Sequence, residues 1–431
     1  MPYPTADAPP PQFLSWRDPL DLAAAIREPW WVLLYSGART DYSGRYSYLA
    51  YGLAERIESA DFTALAEKLS AGGHPYGNAW FGYLGYGLKN SLETLPPDAP
   101  GWLELPPLTM MRFRTLCRFD HDERTLTCWS KTRTRPPMAE TPVIYPPGVS
   151  SLQSNMSRAE YLEKAAQVIE CIRRGDLYQA NLTRKFIGEF TSPPDAFALF
   201  ARLCAVSPAP YSAFLRLGGT SILSSSPELF LKIDAGGQMR ARPIKGTAPR
   251  SDDPARDRQL RDALAASAKD RAENLMIADL MRNDFSRSCV PGSVGAESLF
   301  DVTSHATIHH LSSTITGKKH HGRSTIEAVK ACFPPGSMTG APKIRAMQLC
   351  SELERRERGV YSGAIGWFGG DGSCELSVVI RTLVLRDKRF EFQVGGGIVA
   401  DSTPEGELQE MMDKSRGILA ALGLSIGDLP A

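Results

Sequence analysis

The chain has 431 residues, enough for one large domain or two closely packed ones. Hydrophobic residues make up 42% and charged residues 23% of the chain, which is typical of a globular protein that buries a core. The 49 basic and 48 acidic residues leave a net charge of +1, so we expect neither nucleic acid nor a membrane as a partner.

The N-terminal sequence and the cysteine spacing both favour a cytoplasmic protein. Residues 1–11 contain no basic segment followed by an apolar one, so we expect no secretory signal. No apolar run reaches the length of about 18 residues that suggests a membrane span. The eight cysteines include no C-x-x-C pair, which predicts reduced thiols rather than a zinc site or a disulfide framework.

Residues 1–150 are predicted to form an N-terminal region of strands and turns. Residues 31–35 and 46–51 have the apolar character of buried strands. The aromatic residues and glycines of 79–87 favour close strand packing over phosphate binding. Residues 135–147 contain five prolines, which predict a loop before the second region, residues 151–431.

The second region is predicted to mix helices and strands. Ser157 and Glu160 have the spacing of a capping box, and Gly175 is placed to end the helix that begins there. The hydrophobic pattern then predicts three strands and one long helix, at 177–186, 223–233, 240–244 and 254–283. Because no regular alternation of strand and helix appears, we expect an α+β fold with antiparallel sheets.

Two predicted helices carry acidic residues on one face. Asp270 and Glu273 are three residues apart, and Glu407, Glu410 and Lys414 share a face of the last helix. Brought together, these carboxylates would suit Mg²⁺, which takes few protein oxygens and keeps the rest of its shell for water and an anionic substrate. Taken alone, each pair is more often a solvated helix face, by about five to one.

Two segments of small residues are candidate anion sites. Gly395, Gly396 and Gly397 could bring backbone N–H groups close to a carboxylate, although a simple turn is favoured by about two to one. Residues 333–343 lead into a predicted helix, whose N-terminus could hold an anion. A purely structural loop is equally consistent with that segment.

Lys245 and the histidines are the remaining candidates for chemistry. Lys245 stands at an apolar, proline-constrained strand end, where a lysine could have a lowered pKa and act as an amine nucleophile. The periodicity alone favours a surface lysine. Among His305, His309 and His310, we expect one catalytic or hydrogen-bonding histidine rather than a metal cluster, because no cysteine completes a zinc set.

The order of the motifs along residues 156–431 resembles that of the chorismate-utilising enzymes. These motifs occupy residues 226–230, 242–250, 272–284, 309–311, 339–343, 359–363, 380–383 and 395–402. The N-terminal half resembles the family more loosely, through 44–48 and 82–86. The resemblance implies an α/β/β/α sandwich, in which two packed, largely antiparallel sheets are flanked by helices. It also implies that residues 1–150 correspond to the part that holds tryptophan in some relatives.

Two positions imply which reaction of the family is catalysed. Isochorismate and salicylate synthases usually have a water-activating lysine where this chain has Gln179, and anthranilate synthases usually have alanine where it has Lys245. The resemblance therefore implies amination of chorismate at C4, on the route to p-aminobenzoate and folate. Lys245 would attack C2 while Glu228, as general acid, assists departure of the C4 hydroxyl, and ammonia would then expel the lysine.

The resemblance also implies the ligands of the metal and the substrate. Glu273 and Glu410 would bind Mg²⁺, with Asp270 and Glu407 nearby. The substrate would contact Thr339, Arg381, Gly395, Gly396, Gly397, Lys414, Gln179 and His310. His310 corresponds to a histidine that assists pyruvate elimination in sister enzymes, so its role here stays open.

The partner and the alternatives follow from the same resemblance. No segment resembles a glutamine amidotransferase, so we expect ammonia from a separate glutaminase subunit in a heterodimer. Residues 35–37 lack the pattern of feedback-sensitive anthranilate synthases, so no strong tryptophan inhibition is expected. One alternative is an anthranilate synthase large subunit or a dual-use enzyme, and the other is a catalytically inactive subunit that senses an amino acid.

Overall fold

The computed structural model describes residues 9–40, 42–130, 139–141, 145–305 and 308–430. The strands are β1 (Gln12–Leu14), β2 (Trp30–Tyr35), β3 (Tyr46–Ser59), β4 (Trp80–Leu84), β5 (Leu108–Asp120), β6 (Thr125–Ser130), β7 (Val149–Ser154), β8 (Gln179–Phe190), β9 (Tyr211–Leu217), β10 (Thr220–Ser226), β11 (Leu229–Ile233), β12 (Gln238–Arg242), β13 (Ile244–Pro249), β14 (Gly295–Ser304), β15 (Ile308–Lys318), β16 (Gly340–Ala341), β17 (Ala364–Phe368), β18 (Cys374–Val378), β19 (Thr382–Arg386) and β20 (Arg389–Ile398). The α-helices are α1 (Pro19–Ala24), α2 (Thr63–Ser70), α3 (Arg158–Arg173), α4 (Ala196–Val206), α5 (Pro254–Ala266), α6 (Ala268–Ser286), α7 (Thr325–Cys332), α8 (Gly336–Thr339), α9 (Lys343–Glu354) and α10 (Pro404–Leu422).

The strand ladder branches at β5, and the pairings between these strands are antiparallel. The first half of β5 pairs with β4 and its second half with β6, while β3 pairs along its whole length. One arm runs from β3 through β2, β9, β10, β19, β20 and β8 to β7. The other arm runs from β4 through β17, β18, β11, β12 and β15 to β14.

The two arms face each other across a shared hydrophobic core. One buried cluster contains Val32 and Leu215 of the first arm together with Phe81 and Ile365 of the second. A second cluster lies beneath α3, α4, α9 and α10, and a third beneath α2, α6 and α7. This arrangement confirms the predicted α/β/β/α sandwich, with the difference that β3 and β5 join the two sheets.

Local signals set several element boundaries as predicted. The Ser157 hydroxyl accepts the Glu160 N–H at 3.2 Å, and the Glu160 carboxylate accepts the Ser157 N–H at 2.6 Å, so the capping box is present. Gly175 follows α3 with a φ of +84°, a conformation that glycine adopts without strain. A side chain at Gly82 would overlap the Thr109 carbonyl, which confirms close strand packing in 79–87.

Two predicted elements are wrong because each is interrupted by a polar residue. The predicted strand at 223–233 is two strands, β10 and β11, separated by Pro227 and Glu228. The predicted helix at 254–283 is two helices, because Ser267 is extended and its hydroxyl accepts the Asp270 N–H at 3.2 Å. The second break places Asp270 in the first turn of α6.

The cysteine prediction is wrong for one pair. Cys117 and Cys128 lie opposite each other on β5 and β6 and form a disulfide, whereas the other six cysteines are free and buried. Most of the predicted loop at 135–147 lies outside the described residues. No helix within the described ranges is long and apolar enough to cross a membrane. The division at residue 150 stays a prediction.

Candidate active site

Lys245 and Gln179 meet over the backbone of Gly397. A methyl group built on Gly397 would lie 2.6 Å from Lys245 Nζ and 2.7 Å from Gln179 Nε2. Gln179 is fully buried, and neither atom of its amide has a hydrogen-bond partner in the described part of the chain. Three strands that are distant in sequence, β8, β13 and β20, therefore bring an amine and an unsatisfied amide to one point.

The pKa of Lys245 is lowered from its ordinary value of 10.5, chiefly by burial. The positive charge of Lys414 lowers it further, while the carboxylates of Glu273, Glu410 and Glu228 act in the opposite direction. Lys245 is half-buried rather than exposed, so the interpretation as a surface lysine is wrong. The net direction favours the free amine, which is the nucleophilic form.

Glu228 lies between β10 and β11, with 5% of its surface exposed. Burial raises its pKa to about 7, although hydrogen bonds from Ser337 and the Ile244 N–H and the charge of Lys245 act to lower it. A carboxyl group with this pKa carries a proton for much of the time near neutral pH. It can therefore act as a general acid where an ordinary glutamate cannot.

The two acidic helix faces of α6 and α10 come together beside the lysine. Burial raises the pKa of Glu273, and Glu410 and Asp270 raise it further. Glu407 is buried and accepts the Ser402 hydroxyl at 2.6 Å through Oε1, but its Oε2 has no partner among the described residues. These side chains therefore form one electrostatic cluster, in which Glu407 is buried and Glu410 is exposed.

Cations partly balance that cluster. Lys414 Nζ lies 2.7 Å from Glu410 Oε1 and is the main reason that the pKa of Glu410 is lowered. Lys269 Nζ lies 3.9 Å from Glu273 Oε1. Within the described ranges, no three histidine, cysteine, aspartate or glutamate side chains converge closely enough to hold a metal ion. The metal site accordingly stays a prediction.

The three glycines lie within a strand, so their interpretation as a simple turn is wrong. Gly395 and Gly397 pair with Thr183 and Asn181 of β8. A methyl group on Gly396 would lie 2.8 Å from the unpartnered Glu407 Oε2. On its other edge, β20 pairs with β19 only as far as Phe392, so N–H groups beyond that point face no partner strand among those described.

Arg381 supplies an unpaired cation at this site. It is half-buried and has a φ of +50°, and its guanidinium has no hydrogen bond or ion pair within the described chain. Burial lowers its pKa, as expected for a cation that lacks a partner. Thr339 is buried and its hydroxyl lies 3.3 Å from the Pro335 and Gly336 carbonyls. Lys414 Nζ contacts the Gly395 carbonyl at 3.3 Å.

His310 and His309 have different surroundings. His310 is buried, and burial lowers its pKa well below 6.5, with Arg381 adding to the effect, so its ring is neutral near neutral pH. His310 Nδ1 has no partner among the described residues, and the ring centre lies 4.6 Å from that of His305. Both nitrogens of His309 are engaged, by Ser304 and Asp257, which indicates a structural role.

Three residues at the site were not singled out from the sequence. Ser337 hydrogen-bonds Glu228, and Lys269 faces the acidic cluster. Asn274 is fully buried on α6 and accepts the Ser313 hydroxyl, which fixes α6 against β15. Asn274 directly follows Glu273, and Ser337 lies in the predicted loop 333–343, so their proximity to motifs was the available signal.

Cavities in the described part of the chain lie outside this cluster. One of about 510 Å³ is lined by Ser36, Tyr46, Tyr211 and Trp367, in the region that the resemblance relates to tryptophan binding. Another of about 710 Å³ lies between α6, α7 and α9 and contains none of the predicted site residues. Tryptophan binding stays a prediction.

Comparisons with known proteins identify the family. A sequence model of the chorismate binding enzymes matches residues 24–420. The chain is 40% identical over 362 residues to aminodeoxychorismate synthase component 1 of Salmonella typhimurium, covering 81% of this chain and 77% of that protein. It is 35% identical over 417 residues to anthranilate synthase component 1 of Streptomyces coelicolor, covering 88% and 81%. The crystal structure of anthranilate synthase component I from Streptococcus pneumoniae matches with a TM-score of 0.76 at 26% identity, covering 86% of this chain and 91% of that chain. The chain therefore belongs to the chorismate binding enzyme family.

Proposed function

We propose that the protein aminates chorismate at C4 with ammonia to give 4-amino-4-deoxychorismate, a step toward p-aminobenzoate and folate. The observation that carries the proposal is the amine of Lys245, with a lowered pKa, beside the unsatisfied amide of Gln179. A lysine here provides a covalent nucleophile, and a glutamine provides no base to activate water. The 40% identity to aminodeoxychorismate synthase component 1 supports the same reaction.

The first half of the reaction forms a bond between Lys245 Nζ and C2 of chorismate. The two ring double bonds shift, the C4–O bond breaks, and Glu228 donates its proton so that the hydroxyl leaves as water. Glu228 is suited to this step because its pKa of about 7 keeps it partly protonated.

The second half reverses the shift. Ammonia attacks C4, the C2–N bond breaks, and Lys245 departs as the neutral amine. Glu228, now a carboxylate, takes a proton from the new ammonium group. Covalent catalysis in this form divides one difficult displacement into two easier ones and returns both side chains to their starting states.

The substrate carboxylates would be held by the cations and backbone around the lysine. Arg381 lacks a partner in the described chain, so a carboxylate would satisfy its guanidinium. Lys414 and the N–H groups of Gly395, Gly396 and Gly397 would supply further donors. His310, neutral and with a free Nδ1 in the described chain, would hydrogen-bond the ring substituents rather than neutralise their charge.

We propose that the acidic cluster binds a magnesium ion together with the substrate. Glu273 and Glu410 would bind Mg²⁺, with Asp270 and Glu407 nearby. The raised pKa of Glu273 and the buried Glu407 Oε2, which has no partner among the described residues, support binding of a cation here. A sparse set of protein oxygens suits Mg²⁺, which would offset the charge of a substrate carboxylate there.

The ammonia would come from a separate glutaminase subunit in a heterodimer. The Salmonella relative is named component 1, which supports a partner subunit. We also propose a cytoplasmic location, since the route to folate uses soluble intermediates.

The product assay decides between this function and its alternatives. Purified protein is incubated with chorismate, Mg²⁺ and ammonium chloride at alkaline pH, and the products are separated and identified by mass spectrometry. We expect aminodeoxychorismate from the wild type, and an at least about hundredfold loss with Lys245→Ala. The matched control, Lys388→Ala, replaces an exposed lysine away from the site and should keep full turnover.

Three outcomes would contradict the proposal. Fluorescent anthranilate as the sole product would identify an anthranilate synthase, the activity named for the 35% identical relative. No turnover would favour a sensing subunit. Undiminished aminodeoxychorismate formation by Lys245→Ala would refute the covalent step.

A further inference from the structure

A buried ion pair behind the active site connects the segments that carry Gln179 and Thr339. Arg358 and Glu354 are 1% and 4% exposed at their side chains, and two nitrogens of the arginine contact the two carboxylate oxygens at 2.7 and 2.8 Å. Neither residue lies in the helix faces or loops predicted to bind substrate. Glu354 is the last residue of α9 and Arg358 follows it by four residues, and neither has a role in the proposed mechanism.

Every N–H donor of the Arg358 guanidinium has an acceptor. Besides Glu354, it donates to the Met338 carbonyl at 2.8 Å, the Asn181 carbonyl at 2.7 Å and the Ser362 hydroxyl at 3.1 Å. A guanidinium has five donors in a fixed planar fork, so these contacts define its orientation completely. An ammonium group has three donors and could not reproduce them.

Both bonded carbonyls belong to residues next to the site. Met338 precedes Thr339 at the end of the four-residue helix α8, where carbonyls have no partner within the helix. Asn181 lies two residues beyond Gln179, and its amide also donates to the Met338 carbonyl at 3.1 Å. Glu354 holds the same strand by accepting the Thr183 N–H at 3.0 Å.

The pairing between these segments is otherwise short. Strand β16 contains only Gly340 and Ala341, which pair with Ala180 and Gln179. Asn181 in turn pairs with Gly397, over which Lys245 lies. The arginine therefore fixes the spacing between the Thr339 loop and the Gln179 strand, at the point where few backbone bonds do so.

We propose that Arg358, held by Glu354, is a positioning residue that sets the distance between Thr339 and Gln179 and so aligns chorismate with Lys245. The inference rests on the proposed function for the identity of the substrate. An arrangement that acts through alignment affects the rate per folded molecule, because a displacement of about 1 Å at a reacting centre can cost roughly 10²-fold. An ion pair that serves stability alone leaves the rate per folded molecule unchanged.

Arg358→Lys tests the proposal because it keeps the charge opposite Glu354 but loses the fork. Arg184→Lys is the matched control, since Arg184 is 2% exposed on the same strand as Gln179 and donates to Ser154, Met156 and Pro430. Chorismate turnover with ammonium, whatever the product, is measured per folded molecule, together with KM and the melting temperature. We expect Arg358→Lys to lower kcat by about ten- to hundredfold. The control should lower only the melting temperature.

A double-mutant cycle provides the second measurement. If Arg358 acts through the Thr339 loop, its substitution costs less in a Thr339→Ala background than in the wild type. Wild-type kcat in Arg358→Lys, or full additivity of the two substitutions, would overturn the proposal. If Arg358→Lys does not fold, Ser362→Ala and Asn181→Asp each remove one hydrogen bond of the same network. An unchanged kcat in both variants would also overturn the proposal. If the wild-type protein forms no aminodeoxychorismate, the proposed function is refuted, independently of the role of Arg358.

Discussion

At the scale of single residues, burial shifts the pKa values of both groups that are proposed to react, Glu228 and Lys245. Burial disfavours charge, so it raises the pKa of the Glu228 carboxyl to about 7 and lowers that of the Lys245 amine. The same enclosure therefore favours the protonated form of the acid and the free-amine form of the lysine. The proposed attack by a free amine would need no separate base, which agrees with the amide of Gln179 beside the lysine.

This effect of burial predicts a trade between stability and activity at Glu228. The folded-state pKa of about 7 lies above the ordinary 4.5, so the native state binds more protons between these values and loses stability as the pH rises through them. Glu228→Gln removes that cost, and we expect it to raise the free energy of unfolding at about pH 8 by roughly 2–3 kcal/mol, but little at about pH 4.5. Turnover should fall by roughly 10²-fold.

Urea denaturation at the two pH values measures the difference. Glu189→Gln is the control, because Glu189 is exposed and should give the same free energy of unfolding as the wild type at both. An equal gain at both pH values would contradict a titrating Glu228.

At the scale of elements, strand β20 lies between Glu407 and Lys245. Successive residues of a strand point to opposite faces. Gly396 accordingly lies against Glu407 of α10, while Gly397 lies against Lys245 and Gln179. Because the glycines have no side chains, Glu407 can approach the strand backbone on one face and Lys245 on the other.

Gly397→Ala should therefore displace the nucleophile. The added methyl group would lie 2.6 Å from Lys245 Nζ, closer than such contacts allow, so the lysine or Gln179 must move. We expect turnover to fall by about 10²-fold with folding retained, because the atoms that must move end flexible side chains. Gly295→Ala is the control in strand β14, where an added methyl meets nothing within 4 Å. Near wild-type activity of Gly397→Ala, measured as aminodeoxychorismate formed, would show that the lysine does not react from this position.

The same strand shows where prediction from the sequence succeeds and where it stops. Helix α3 was predictable because Ser157, Glu160 and Gly175 signal its ends locally. The glycines of β20 have the composition of a turn, and only their pairing with β8, more than 200 residues earlier, makes them a strand. The break at Ser267 was hidden because alanines on both sides favour a continuous helix. The site residues were found through motif order, whereas the contact of Ser337 with Glu228 depends on tertiary packing.

At the scale of the whole molecule, residues from the N-terminal third hold the two arms together. Strand β2 pairs with β9 in one arm, and β4 pairs with β17 in the other. Strands β3 and β5 then join β2 to β4. The residues proposed to react all lie after residue 151, but the sheets that position them are completed by the N-terminal region.

A fragment of residues 151–431 should therefore not be active alone, although it contains Lys245, Glu228 and Arg381. It would expose the edges of β9 and β17 and the shared core between the arms. Because unpaired strand edges and apolar surface promote association, we expect the fragment to aggregate. Co-expression with residues 1–150 should restore a soluble complex, because the missing strands can pair from a separate chain. Chorismate turnover and the melting temperature are measured for the fragment, the co-expressed pair and the intact chain. A soluble fragment 151–431 with full turnover would mean that the two regions fold independently, and that β3 and β5 merely rest against a complete catalytic unit.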